Sequence, residues 1–165
     1  GSKLYCEELG FFLNNEMDDF AIKTDHQNIY GMIGGKNNSI EPEKRMLSSM
    51  TPTIIKKDNE VFMILGSPGG PTIITSVLQT ILNVIYFDMS IKKSVKSPRF
   101  HHLWLPDIVY FEDGSFNKKM FEYLDKLNYK LSKRSQIGRV DAILIEKNKI
   151  YTAADPRGDD YASGK

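Results

Sequence analysis

Apolar residues recur at helical spacing over one long stretch, Thr72 to Phe87, at Ile73, Ile74, Val77, Leu78, Ile81, Leu82 and Ile85. Pro71 stands where such a helix would begin, a position that tolerates its missing N–H. Ser90 is placed to cap a second, short helix over Ile91–Val95, and Asn117–Leu127 reads as a third. Strand patterns lie on either side. Pro52–Lys57 and Glu60–Leu65 flank Asp58-Asn59, a two-residue connection of the tight-hairpin kind. Tyr129–Lys133, Val140–Glu146 and Lys149–Ala153 predict three more strands, the last two joined across Lys147-Asn148. An apolar cluster predicts a short strand over Leu9–Leu13, and Trp104, between Leu103 and Leu105, reads as core. From Lys23 to Arg45 the chain is rich in Gly, Asn, Asp and Glu with little period, which predicts a long loop; loops of that length are usually functional or disordered. The pattern describes one mixed α and β domain over residues 1–165, with antiparallel hairpins covered by helices on at least one face.

Composition narrows the class without naming a function. Hydrophobic residues make up 41% and charged residues 26% of 165, which argues against disorder. With 22 basic and 21 acidic side chains the formal charge is +1, so there is no electrostatic footprint for nucleic acid. No apolar run is long enough to span a bilayer, and Gly1-Ser2-Lys3 does not lead into the apolar stretch of a secretory signal. A single cysteine, Cys6, forms neither an internal disulfide nor a four-ligand zinc site. His101 and His102 are adjacent, so on a strand they would point to opposite faces and share no metal readily.

Three local features carry possible chemistry. Gly69-Gly70 sits between a strand and a helix, where glycines admit close approach of a ligand and the helix start offers unpaired N–H groups. Such a junction suits a carboxylate, a phosphate or the oxyanion of acyl transfer, or is simply a tight turn. Glu16, Asp18 and Asp19 place three carboxylates in four residues, able to hold an ammonium or a cation, or to cap their own turn; the pattern of a calcium loop is missing. Leu47-Ser48-Ser49-Met50-Thr51-Pro52 clusters hydroxyls that can donate to a carboxylate or satisfy turn backbone, and it lacks the frame of a nucleophile elbow.

Taken in order, Phe12-Leu13-Asn14-Asn15-Glu16-Met17-Asp18-Asp19-Phe20, Leu47-Ser48-Ser49-Met50-Thr51-Pro52-Thr53-Ile54, Gly66-Ser67-Pro68-Gly69-Gly70, Pro98-Arg99-Phe100-His101-His102 and Ala154-Asp155-Pro156-Arg157 closely resemble the small subunit of γ-glutamyltranspeptidases. The resemblance covers essentially the whole chain and implies an α+β fold, the four-layer αββα stack of N-terminal-nucleophile hydrolases. It implies γ-glutamyl transfer or hydrolysis from glutathione and other γ-glutamyl compounds, through an acyl-enzyme on an N-terminal Thr exposed by self-cleavage. On matching positions, Glu16 and Asp19 would bind the donor's α-ammonium, and Ser48 and Ser49 would donate to its α-carboxylate. The Gly69 and Gly70 N–H groups would form the oxyanion hole. Asn15, Asp18 and Phe20 would scaffold the acidic turn, and Arg99 and Asp155-Pro156-Arg157 would be structural. No cofactor or metal is implied; the implied partners are a large subunit of the same proenzyme and an amino-acid, peptide or water acceptor. The implied location is periplasmic or extracellular.

The resemblance also has a gap. The family's Thr-Thr-His motif, whose first Thr is the nucleophile, is absent, and Gly1-Ser2-Lys3 aligns beyond it. The expectation is a C-terminal portion of the small subunit whose first strands lie elsewhere, inactive alone; Thr51 is internal and lacks the free α-amine. Two alternatives are a catalytically dead module that captures γ-glutamyl compounds and a relative that cleaves poly-γ-glutamate. The Asn-Asn-Glu-Met-Asp-Asp-Phe turn follows the transpeptidase form.

Overall fold

Asp58 and Asn59 both adopt positive φ, 53° and 66°, the backbone that a two-residue hairpin turn demands and that Asp and Asn tolerate. The same device recurs at Lys147 and Asn148, with φ of 49° and 62°. Both predicted hairpins therefore form in the computed structural model, which describes residues 2–163. The chain divides into two compact units, Gly1–Ser49 and Met50–Lys165.

In the first unit, β1 (Tyr5–Cys6) and β2 (Phe11–Phe12) pair antiparallel, and the Tyr5 and Phe12 rings lie 5.0 Å apart. The predicted strand over Leu9–Leu13 shrinks to two residues because Gly10, at φ 72°, turns the chain back and its N–H donates to Cys6 O. Residues Glu16–Asp19 form a single 3-10 turn. The predicted long loop contains only one more such turn, Lys36–Asn38, and holds its shape through side chains. Asn28 Oδ1 accepts from the N–H groups of Tyr30 and Met32, both at 3.0 Å. Gly34 lies so close to the buried Ala21 that a Cβ there would meet the Ala21 Cβ at 2.7 Å.

The second unit contains β3 (Thr53–Lys57), β4 (Glu60–Gly66), α1 (Thr72–Ile85), α2 (Ile91–Lys96), β5 (Phe100–Leu103), β6 (Ile108–Phe111), α3 (Lys118–Lys126), β7 (Lys130–Lys133), β8 (Asp141–Glu146) and β9 (Lys149–Ala153). An antiparallel sheet runs β3-β4-β8-β9, and a smaller one runs β5-β6-β7. In the smaller sheet β6 and β7 are parallel, as the helical crossover α3 requires. The α1 and α2 helices cover one face of the larger sheet; Met63, Leu65, Ile73, Val77, Val95, Val140 and Leu144 form the core between them. Burying a large aliphatic side chain of this kind stabilises by about 1.5–3 kcal/mol. Ser90 caps as expected, its Oγ accepting from Lys93 N, and Asn117, expected inside the third helix, instead caps it by accepting from Met120 N.

The opposite face of that sheet is also apolar. Ile54, Ile64 and Ile143 lie in one register row, and Ile145 pairs with Ile150. Ile54 and Ile150 are 62% and 69% exposed, so the edges of this face are open among the described residues.

Sequence pattern misses β5 and β6 for a physical reason. In β5 the residue that points inward is His101, which is buried, while Phe100 points out and packs on the Phe116 ring. A polar residue inside and an aromatic one outside invert the expected alternation. Trp104 is a correction: it is 78% exposed, on the loop between β5 and β6 that carries the cis Leu105-Pro106 bond. Flanking leucines did not predict burial because the chain has already left the strand.

A buried ionic cluster holds the end of the unit. Arg99 Nη2 lies 2.8 Å from Asp155 Oδ2, and Arg157 bridges Glu112 and Asp155. Backbone N–H groups fill the remaining acceptor sites: Arg99 and Ile137 donate to Glu112, and Val140 and Arg157 donate to Asp155.

Candidate active site

The Gly66–Gly70 segment leaves β4 and enters α1 through two glycines at positive φ, 134° at Gly69 and 56° at Gly70. Gly69 has a second reason to be glycine, since a Cβ there would sit 2.5 Å from Thr72 Oγ1. The N–H groups of the turn divide cleanly. Pro71 has none, Thr72 N donates to Gly69 O, and Ile73 N donates to Gly70 O. Among the described residues, the Gly69 and Gly70 N–H groups donate to no acceptor. Two adjacent unpaired donors thus stand at the positive end of a 14-residue helix with no acidic residue in its first turn. That arrangement attracts negative charge, including charge that develops on a carbonyl oxygen.

The acidic turn is equally specific in shape. On a 3-10 helix, residues three apart eclipse, so Glu16 and Asp19 share one face while Asp18 does not. The carboxylates of Glu16 and Asp19 make no hydrogen bond or ion pair among the described residues. The backbone beneath them is fixed instead. Glu16 N donates to Asn14 Oδ1, Asn38 Nδ2 donates to Asp19 O, and Asn28 Nδ2 donates to Asp18 O. Asn15 Nδ2 donates to Tyr30 Oη at 2.6 Å. Two half-buried carboxylates with free lone pairs on a braced turn suit an ammonium ion.

Ser48 and Ser49 are adjacent and exposed, outside any regular element, at the end of the first unit. The structure therefore brings the predicted site residues together as three pairs: Glu16 with Asp19, Ser48 with Ser49, and Gly69 with Gly70.

Supporting residues were less visible in the sequence. Thr72 Oγ1 donates to Gly69 O at 2.9 Å, and Ser67 Oγ accepts from Arg139 N at 2.9 Å. Gly138, at φ 64°, passes so near that a Cβ would meet Ser76 Oγ at 2.2 Å and Ser67 Oγ at 3.1 Å. An isolated glycine just before a strand signals such an approach, but not what it approaches. Farther along α1, Thr75 Oγ1 contacts His101 Nδ1 at 2.8 Å. Burial, with the nearby Arg134 charge, lowers the His101 pKa. His102 points the other way, to Asp107 at 2.7 Å.

A family model described as gamma-glutamyltranspeptidase matches residues 1–165. The chain belongs to the gamma-glutamyltranspeptidase family. It is 40% identical to a glutathione hydrolase proenzyme of Escherichia coli over 99% of its own length and 28% of that protein's. A Pseudomonas aeruginosa glutathione hydrolase proenzyme is 39% identical over 96% of this chain and 29% of the relative. The chain thus spans under a third of these relatives. Among solved structures, a Helicobacter pylori gamma-glutamyltranspeptidase mutant superposes with a TM-score of 0.89 at 45% identity, covering 96% of this chain and 87% of that one. The fold is accordingly the α+β fold of the N-terminal-nucleophile hydrolases. A Bacillus anthracis transpeptidase, CapD, shares it at a TM-score of 0.66 and 21% identity.

Proposed function

We propose that this family member is the C-terminal portion of the small subunit of a γ-glutamyl transferase or hydrolase, supplying the donor pocket and the oxyanion hole. The observation that carries the reading is the pair of unused N–H groups at Gly69 and Gly70. In acyl transfer the γ-carbonyl oxygen of the donor gains negative charge as the nucleophile adds. Donors already aimed at that oxygen stabilise the intermediate without reorganising. The nucleophile, an N-terminal Thr, belongs to the proenzyme outside residues 1–165. Collapse of the intermediate expels the donor's amine, and water or an acceptor amine then releases the γ-glutamyl group.

The donor's free α-amino acid end is a zwitterion and needs both signs of partner. Glu16 and Asp19 supply negative charge to the ammonium, and the Ser48 and Ser49 hydroxyls donate to the carboxylate. Glutathione is the donor in this reading, in keeping with relatives named glutathione hydrolase proenzymes. The large subunit of the same proenzyme is the partner. The exposed isoleucines on the outer face of the β3-β4-β8-β9 sheet support it, since a four-layer αββα stack needs a second sheet there. No helix among the described residues is long and apolar enough to cross a membrane; periplasmic or extracellular location is part of the same reading.

The test is turnover of a γ-glutamyl anilide and of glutathione by the full proenzyme after self-cleavage, beside residues 1–165 alone. The two-chain protein is expected to turn over both and the isolated chain neither. Micromolar capture of glutathione by a two-chain protein with no turnover would replace the enzyme reading with that of a binding module.

A further inference from the structure

In a trans peptide unit the C=O and the following N–H point in opposite directions, and the unit is stiff. Whatever fixes a carbonyl therefore aims the next N–H. The Gly69 carbonyl accepts from Thr72 Oγ1 at 2.9 Å and from Thr72 N at 3.2 Å. The carbonyl before it, that of Pro68, accepts from Ser67 Oγ at 2.7 Å. That hydroxyl is itself held by Arg139 N at 2.9 Å. Each unused N–H thus follows a carbonyl tied back by a hydroxyl: Gly69 N–H follows Pro68, and Gly70 N–H follows Gly69.

We infer that Thr72 and Ser67 are positioning residues for the oxyanion hole, Thr72 aiming the Gly70 N–H and Ser67 the Gly69 N–H; the inference rests on the γ-glutamyl-transfer reading above. The Thr72 bond runs the wrong way for a helix cap, in which a side-chain oxygen accepts from helix N–H groups. Here the hydroxyl donates, duplicating a bond that the Thr72 N–H already makes to the same oxygen. A second donor adds little to a helix start, but it narrows the rotation of the Gly69–Gly70 peptide. The surroundings accommodate both hydroxyls. Gly69 has no Cβ to strike Thr72 Oγ1, and Gly138 has none to press on Ser67 Oγ. Thr72 is buried, so water does not compete strongly for its hydroxyl.

The test uses the mature two-chain protein, made by coexpressing its two segments so that rates do not depend on self-cleavage. With a γ-glutamyl anilide, Thr72→Val is expected to lower kcat about 10- to 100-fold, part of the roughly 10²–10³ that follows loss of an oxyanion donor, with KM within about twofold. Thr72→Ser, which keeps the hydroxyl, is expected to stay within about threefold of the unaltered protein, and Ser67→Ala to lower kcat about tenfold. An unchanged kcat in folded Thr72→Val, or equal losses in the Val and Ser variants, would overturn the role of Thr72. If Thr72→Val does not fold, Thr72→Ala and Ser67→Ala provide the readout, and unchanged kcat in either overturns the role of the residue it alters. No turnover by the unaltered two-chain protein would overturn the γ-glutamyl reading, and this inference with it.

Discussion

Two pairs of acidic residues in this chain have opposite fates. Glu112 and Asp155 are buried and fully engaged, each by arginine and by backbone N–H groups. Glu16 and Asp19 share one face of a 3-10 turn, and no group in the described chain takes up their charge. Residue type is the same in both regions; the difference is what the fold places around it. A carboxylate met by cations within its own chain serves structure, and one left open on a braced backbone is available to a ligand. The contrast also explains why the acidic turn has so many asparagines. Asn14, Asn28 and Asn38 hold its backbone by hydrogen bonds and leave the carboxylates untouched.

The largest effect should come from breaking the engaged pair. Asp155→Ala leaves Arg99 buried without its carboxylate partner and frees the Val140 N–H. Removing one member of a buried ion pair typically costs about 3–5 kcal/mol. Chemical denaturation of the two-chain protein should show a loss of that order, with activity falling only as the fold does. Wild-type stability in this variant would mean that the cluster is dispensable.

The same pair fixes a pH dependence. Burial by itself would raise both carboxyl groups, but at Glu112 the Arg157 hydrogen bonds and the Arg99 and Ile137 N–H groups prevail and lower its pKa. At Asp155 the Val140 and Arg157 N–H groups and the Arg99 charge do the same. A depressed folded-state pKa contributes stability above the unfolded value, about 4 for these groups, and that contribution is lost as pH falls through the folded value. Thermal midpoints should therefore drop steeply below about pH 4, and Glu112→Gln should flatten that limb.

Next in size is the oxyanion turn. Gly69→Val forces a β-branched residue to φ 134° and drives its Cβ onto Thr72 Oγ1. Stability should fall by about 1–3 kcal/mol from backbone strain. Turnover of a γ-glutamyl anilide should fall by about 10²–10³ at saturating substrate. A folded variant with ordinary kcat would remove Gly69 from the chemistry.

Much of this was legible in the chain because local rules and tertiary structure agreed. The Asp58-Asn59 and Lys147-Asn148 turns, the Ser90 cap and the α1 periodicity all point one way, and each forms. Where long-range contacts decide, pattern fails. His101 is buried because Thr75 and the inner side of β5 receive it, and no local spacing signals that. Trp104 is exposed although its neighbours are leucines. The candidate site residues stand out in the sequence as motifs, whereas the hydroxyls that tie back the Pro68 and Gly69 carbonyls do not. The role proposed for them lies in the direction of single bonds, which residue order does not encode.

The smallest effect should come from the open pair, and its smallness in stability is the point. Asp19→Asn keeps the shape of the side chain and removes its charge, and Asp19 has no ion pair in the described chain to lose. Stability should stay within about 0.5 kcal/mol, as for surface substitutions away from packed or paired groups. A charge-assisted hydrogen bond to the donor's ammonium contributes about 1.5–3 kcal/mol, so KM should rise roughly 10- to 100-fold for a γ-glutamyl donor. Glu16→Gln, on the same face of the turn, should act in the same direction. If both carboxylates meet one ammonium, as proposed, the double variant should cost less than the sum of the two single losses. Strict additivity would mean that Glu16 and Asp19 meet different groups of the substrate. A large stability loss in either single variant would mean that the open pair, like Glu112 and Asp155, serves the fold.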